Sequence, residues 1–530
     1  MNATGWSRGL EVTGGGTGVV SHAGLALLRQ PADRIGLTAG LSRALPSPLW
    51  GHDRGRVVSD LACAIADGAR VISDFRVMGD QRELFGPVAS VPTAWRSLKE
   101  IAGGGDRMQA RIAAAVNRAR RHAWAQAAAR HGGLPPVRVA DKTLEGITCI
   151  RLDATVVTAH SDKELAEPNF KGFGHHPLLA ACDNTAEPLA WMLRPGSAGS
   201  NTAADHLRLL REAIAALPPA FRRRLMITCD GAGASHALVT ELDRLAARRG
   251  YEVTYSVGWE LGERERAALR KVPGHAWEAA VDERGEVRER RAGDACADER
   301  CCHRACWIQE AHVTELTGLL REGPAGDQLK AWPKMMRIFA RRERPHPGAQ
   351  LTLFEAEDGW RYSRWGTNRP ATAKGWRGQC AYIDAAHRVH ARVEDVIRTG
   401  KDTGLGHMPS FDYGVNKAWL AAAMIAAILL AWLKLLTPDG DLARAEPKTL
   451  RYRILHAAAR LVHGGRRRCL KSPPHGRGPR RSPPPGSASR RSPKPPDQQQ
   501  PVPASRKGDP GPVEPPATRP GSRAAVIPWH

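Results

Sequence analysis

One carboxylate set inside an apolar, β-branched run constrains this chain more than any other stretch: Cys149-Ile150-Arg151-Leu152-Asp153-Ala154-Thr155-Val156-Val157. Such a run, bounded by turn-prone residues, reads as a buried strand. An ionised Asp there is costly unless it is paired or holds a metal. The pattern returns at Leu225-Met226-Ile227-Thr228-Cys229-Asp230-Gly231, where a second apolar run delivers an Asp to its end before a Gly-rich turn. Two strands of one sheet ending in Asp could converge on a divalent cation.

A third acid, Glu394, lies in the segment Asp384 to Lys401. If this segment is helical, His387, His390 or Ala391, Glu394, Arg398 and Lys401 share a stripe, because spacings of three, four and seven bring side chains to one face. The stripe carries one acid flanked by bases.

The order Asp, Asp, Glu, with gaps of 77 and then 164 residues, resembles the DDE transposases of bacterial insertion sequences. The branch it resembles carries a Tyr-x-x-Arg-x-x-x-Glu-x6-Lys signature and a β-rich insertion before the Glu. Glu394 and Lys401 match that spacing, and His387 and His390 take the Tyr and Arg places. The strings Lys171-Gly172-Phe173-Gly174-His175-His176-Pro177-Leu178 and Leu193-Arg194-Pro195-Gly196-Ser197-Ala198-Gly199-Ser200-Asn201 belong to the likeness, which extends from about Val19 to Arg468. It implies a ribonuclease H-like fold, with Asp153 bridging two metals and Asp230 and Glu394 holding one each. Lys401 would then sit beside a phosphate, with Arg398, His390 and His387 on the same DNA-facing stripe.

Phosphodiester attack by water or a 3′ hydroxyl needs an activated oxygen, an in-line leaving oxygen and charge neutralisation, which two metals about 3.5–4 Å apart supply. Hard oxygen ligands suit Mg²⁺, or Mn²⁺ in its place. Arg194 and Asn201 bracket a Gly-Ser-rich turn whose backbone could approach a phosphate closely.

Lys and Arg outnumber Asp and Glu by 78 to 54, a net charge of +24, which points to a polyanionic partner such as DNA or to the Arg-rich coding of a high-GC genome. Residues 1–20 carry no signal-peptide pattern and are expected to be disordered. The cysteines are scattered apart from Cys296, Cys301, Cys302, His303 and Cys306, so a reduced, cytoplasmic setting associated with the nucleoid is expected. That cluster has zinc-ligand types without two clean CxxC pairs; it is a zinc site or an irregular surface loop.

Residues 21–140 read as a helical domain, with periodic segments at Gly24 to Leu28, Ala32 to Leu45, Arg56 to Ala69 and Arg107 to Arg130, and a capped start at Ser90. It would bind DNA or simply pack. Residues 141–258 read as strand, strand, strand, helix, strand, helix, strand, the first part of an α/β catalytic core. Residues 259–382 form the β-rich insertion, in which Met336 to Ala340, Gln350 to Glu355 and Trp360 to Ser363 read as hairpin strands around a turn at Glu357-Asp358-Gly359. Trp360 and Trp365 there could stack on a displaced base or fill a core.

Residues 383–468 complete the catalytic core. Their apolar run from Ala418 to Leu433 spans 16 residues, below the ~20 of a membrane span, and reads as a buried helix packed on the sheet. Residues 469–530 hold 17 of the 39 prolines from Lys471 onward and read as a disordered tail, either a basic DNA-binding extension or a frameshifted end.

The function expected is a DNA transposase that cleaves at terminal inverted repeats and joins 3′ ends to target DNA, its partners being double-stranded DNA and a second copy in a synaptic homodimer. A ribonuclease H-like nuclease without strand transfer, or a decayed or domesticated copy that only binds DNA, stands as the alternative.

Overall fold

The computed structural model describes residues 16–472, apart from 47–49, 170, 200–201, 232–234, 289–309, 325, 346–347, 371–378, 437–440 and 465–466, and beyond them only the short strand pair 480–481 with 525–526. The first twenty residues are therefore described only from Gly16 onward. The Cys296–Cys306 cluster, Asn201 and nearly all of the Pro-rich tail lie outside the described residues.

Strand β1 (Val19–Val20) leads into helices α1 (Ala26–Arg34), α2 (Leu37–Ala44), α3 (Arg54–Asp67), α4 (Val91–Gly103) and α5 (Gly105–His131). Their boundaries follow from local chemistry. The Asp53 carboxylate accepts from the Arg56 amide at the start of α3, and the Ser90 hydroxyl does the same for Thr93 at α4, each satisfying an otherwise orphaned helix-start N–H.

The central sheet is built on β2 (Thr148–Ala154), β3 (Leu178–Cys182), β4 (Glu187–Met192), helix α6 (Ala203–Ala216), β5 (Arg224–Cys229), helix α7 (His236–Ala246) and β6 (Glu252–Trp259). In space these strands run β4-β3-β2-β5-β6, with β3 antiparallel to the other four. This is the ribonuclease H-like mixed sheet, its parallel strands joined by helical crossovers. The register is decisive: Cys229 lies opposite Leu152 on parallel strands, so the next residues, Asp230 just past β5 and Asp153 near the end of β2, stand side by side at the same end of the sheet.

Beyond β6 the same sheet is extended by β10 (Arg361–Thr367), β9 (Arg337–Glu343), β8 (Ala311–Glu315) and β7 (Glu278–Ala279), all antiparallel, giving nine strands in total. One expected strand is a helix. Gln350 to Glu355 alternates like a strand, yet Leu353–Asp358 is helical (α8), and its would-be core residue Leu353 is 86% exposed. The reason is a capping box: the Glu355 carboxylate accepts from the Thr352 amide at 2.9 Å while the Thr352 hydroxyl accepts from the Glu355 amide.

The segment carrying the third acid is helical but uneven. Helix α9 (Gln379–Arg388) tightens into a 3₁₀ turn at Val389–Arg392, continues as α10 (Val393–Gly400) and breaks after Lys401 at Thr403 and Gly404. Helix α11 (Tyr413–Leu436) is long and apolar enough to cross a membrane, but 89% of its most apolar window is buried within the protein. It packs against α3, α4, α5 and β4, and its side chains share one continuous hydrophobic core with the sheet and the N-terminal helices.

At the centre of that core sits Glu187, 0% exposed. Its carboxylate accepts from Arg120 Nε (3.2 Å) and Trp124 Nε1 on α5, from Trp432 Nε1 on α11 (2.9 Å) and from Thr185 Oγ1 (2.9 Å), so the buried charge is paired and hydrogen-bonded. Finally, β11 (Ala459–Gly464) and β12 (Arg467–Lys471) form a hairpin that takes up β1 as its third strand.

Candidate active site: carboxylates at the strand ends

Asp153 is the last residue but one of β2 and Asp230 follows β5, and oxygen atoms of both lie with a His390 ring nitrogen inside a 4.8 Å cluster. Asp153 is half-buried and its Oδ1 accepts from the Ala154 amide at 2.7 Å. Burial above all, then the charge of Asp230 and more weakly that of Glu394, pushes the Asp153 carboxyl up to about 7, with Lys171 and the Ala154 amide acting against them. Like charges held together at a partly dry strand end favour a cation between them. Glu394, exposed in the first turn of α10, is close enough to act on Asp153 through its charge.

His390 closes the cluster from behind. Its Nδ1 lies 2.9 Å from Thr228 Oγ1, and that hydroxyl also takes a 3.0 Å hydrogen bond from Arg151 Nη1. A guanidinium can only donate, so Thr228 Oγ1 is an acceptor toward Arg151, while the other ring nitrogen of His390, Nε2, is buried without a hydrogen-bond partner. Burial, reinforced by His387 and Arg151, holds this imidazole neutral, well below its ordinary value. Arg151 is anchored in turn by Asp183. His387 lies one turn earlier, stacked on Trp365 with ring centroids 4.8 Å apart and its Nδ1 2.8 Å from Ser256 Oγ; burial lowers it to about 3.

The basic residues divide. Lys401 follows α10 with its surface largely open, yet partial desolvation and then the charge of Lys171 lower its pKa while Asp153 acts in the opposite sense, so the two lysines and Asp153 share one field. Arg398 is exposed and turned to Asp395 (2.8 Å) and Glu446 (3.3 Å). Arg194 is buried: Nε donates to the His176 carbonyl (3.0 Å), Nη1 to the Gly199 carbonyl (3.2 Å), and Asp205 stands 3.5 Å away, so it braces the Gly-Ser-rich turn from inside. Trp360 precedes β10, half-buried, with the guanidinium carbons of Arg344 and Arg342 at 3.9 and 4.6 Å from its ring centre, whereas Trp365 is core.

Sequence reasoning passed over Lys171, which stands in the quoted Lys-Gly-Phe-Gly-His-His string but carries no periodic signal. It also passed over Thr228 and Arg151, which look like ordinary strand residues until their side chains are seen behind His390. His206, buried on α6 with its Nδ1 3.1 Å from the Thr202 carbonyl, feels the charge of Asp230 and is another such case.

The donor set suits a hard divalent cation: two converging carboxylates, a third within electrostatic reach and a carboxyl that resists ionising without a counter-charge. The family model for the transposase DDE domain, group 1, matches residues 3–475. The chain belongs to that family. No curated protein matches it. Among solved structures, this DDE-domain chain is similar to a piggyBac transposase determined by cryo-EM as a synaptic complex with hairpin DNA, at 10% identity over 83% of this chain and 80% of that one, with a TM-score of 0.37. That likeness transfers no residue role.

Proposed function

We propose that this chain is the transposase of a bacterial insertion sequence, cutting DNA at terminal inverted repeats and joining the freed 3′ ends to target DNA. The observation that carries the reading is the meeting of Asp153, Asp230 and the charge of Glu394 at one end of the sheet, with Lys171 and Lys401 beside them. Asp153, Asp230 and Glu394 would hold two Mg²⁺ ions, with Asp153 shared. The ions would supply activation of the attacking oxygen and neutralisation at the leaving oxygen.

The remaining work falls to the protein. Lys171 and Lys401 hold the scissile phosphate against the carboxylates as point charges. The neutral His390, fixed by Thr228 and Arg151, keeps the two aspartates at their spacing without adding charge that would compete with a cation. His387 supports that helix from the β6 side. Arg398, exposed, and Trp360, half-buried beside Arg342 and Arg344, would meet the flanking duplex, and Arg194 braces the turn that would approach the phosphate. The helices of residues 21–140 and the basic tail supply further DNA contacts, and two copies pair in a synaptic complex.

The test is Mg²⁺-dependent cleavage and strand transfer on a duplex carrying the flanking element end. Asp153→Ala, Asp230→Ala and Glu394→Ala are each expected to abolish both steps while retaining DNA binding. Cleavage without joining would turn the reading to a nuclease, and binding without either step to a copy that has lost catalysis. Cleavage that survives Glu394→Ala would remove Glu394 from the site.

A further inference from the structure

Away from the carboxylate site, His22, Asp67 and His456 converge from three distant parts of the chain, with one ligand atom of each inside a 4.8 Å cluster. His22 follows β1, Asp67 ends α3 and His456 precedes β11. His22 Nδ1 lies 2.6 Å from Asp67 Oδ2 and His456 Nε2 lies 3.2 Å from Asp67 Oδ1, with the two imidazole centroids 4.3 Å apart. We propose that these three residues form a second metal site, one that takes Zn²⁺ or a similar first-row transition ion and clasps the β1-β11-β12 sheet to the end of α3.

Three observations carry it. Asp67 is 5% exposed, and its Oδ1 is buried without a hydrogen-bond partner, because the Nε2–H of His456 is directed at the main-chain oxygen of Asp67 (3.0 Å) rather than at the side chain. His22 is held in the left-handed region at φ 51°, a conformation uncommon for a residue other than glycine, which turns its ring onto the carboxylate. His22 and His456 keep side-chain exposures of 30% and 40%, leaving room for water in a fourth position.

Two imidazoles and one carboxylate are a donor set for zinc or its neighbours rather than for Mg²⁺, which separates this site chemically from the Asp153 cluster. An ion here releases the proton shared by His22 and Asp67, requires the His456 ring proton to move from Nε2 to Nδ1 so that Nε2 can ligate, and gives Oδ1 its missing partner. The neighbouring cation, Arg451, is turned to the main-chain oxygens of Ala66 (2.8 Å) and Asp402 (2.6 Å), so the clasp also reaches the turn that follows Lys401.

The experiment uses the full chain with the rival sites silenced, Asp153→Asn together with Cys296, Cys301, Cys302 and Cys306 each changed to Ser, stripped with chelator and titrated with Zn²⁺ and with Co²⁺. One equivalent of tightly held Zn²⁺ and a rise in melting temperature over the chelator control are expected. Both are lost in His22→Asn, chosen because Asn accepts a left-handed backbone, and in His456→Asn. X-ray absorption of the Zn²⁺-loaded protein should read two imidazoles, a measurement that needs no variant to fold. No Zn²⁺ uptake by the silenced chain, uptake that survives both substitutions, or a zinc shell without imidazole would overturn the site. Melting that follows pH but ignores Zn²⁺ would replace it with a proton-sharing His–Asp network.

Discussion

Asp153 shows how a single residue carries the consequence of its surroundings. Its carboxyl ionises ordinarily near 3.8 but here near 7, chiefly because it is buried and then because Asp230 and Glu394 are close. A carboxyl raised in the folded state binds more protons than the unfolded chain between those two values, so it stabilises the fold below the ordinary value and that contribution is lost as pH rises through about 7. The metal-free protein is therefore expected to melt at falling temperature as pH climbs through this window, with the trend flattened in Asp153→Asn. Added Mg²⁺ should stabilise the wild-type chain more above about pH 7 than below it, because cation and proton compete for one carboxylate. A pH trend identical in wild type and Asp153→Asn would show that the shift belongs to another group.

At the scale of an element, the chain breaks from helical geometry two residues after Lys401, at Thr403 and Gly404. Gly404 adopts φ 94°, and a Cβ placed on it would fall 2.8 Å from Ile65 Cγ2 and 3.0 Å from the Ala423 Cβ, while its carbonyl accepts from Trp419 Nε1 at 2.9 Å. Only glycine both takes that backbone and lets α3 and α11 come so near. Gly404→Ala is expected to lower stability by roughly 1–3 kcal/mol, read by chemical denaturation, and to reduce DNA cleavage by moving Lys401. Normal stability with normal cleavage would mean the turn accommodates a side chain. The 353–358 element carries the complementary lesson: Thr352 and Glu355 are a legible helix start three residues apart, and they outrank an alternation that would have put exposed Leu353 in a core.

For the molecule as a whole, Glu187 ties together parts of the chain far apart in sequence, since its partners Arg120, Trp124 and Trp432 come from α5 and α11. Removing one partner of a buried ion pair leaves the other charge uncompensated, so Glu187→Ala should cost about 3–5 kcal/mol, whereas Glu187→Gln, which retains an acceptor for the tryptophans, should cost less. Equal and small losses for the two substitutions, measured by denaturant midpoints, would show that the clasp is dispensable.

The sequence by itself determined the strand runs that became 148–154 and 224–229, and the order of the other sheet strands and helices between them and after, since apolar β-branched runs between turn residues are local signals. It likewise marked Asp153 and Asp230, because an acid in or beside an apolar run is conspicuous without any partner in view, while Glu394 was marked by its helical stripe and by its spacing from Lys401 in the resemblance to DDE transposases. Only the tertiary structure decided that Cys229 pairs with Leu152 and so sets Asp230 beside Asp153. The same holds for Lys171 in the field of Asp153, for the buried support from Thr228, Arg151 and His390, and for the meeting of His22, Asp67 and His456. These depend on strand register and on long loop closures, which are fixed by the packing of one shared core rather than by any run of neighbouring residues.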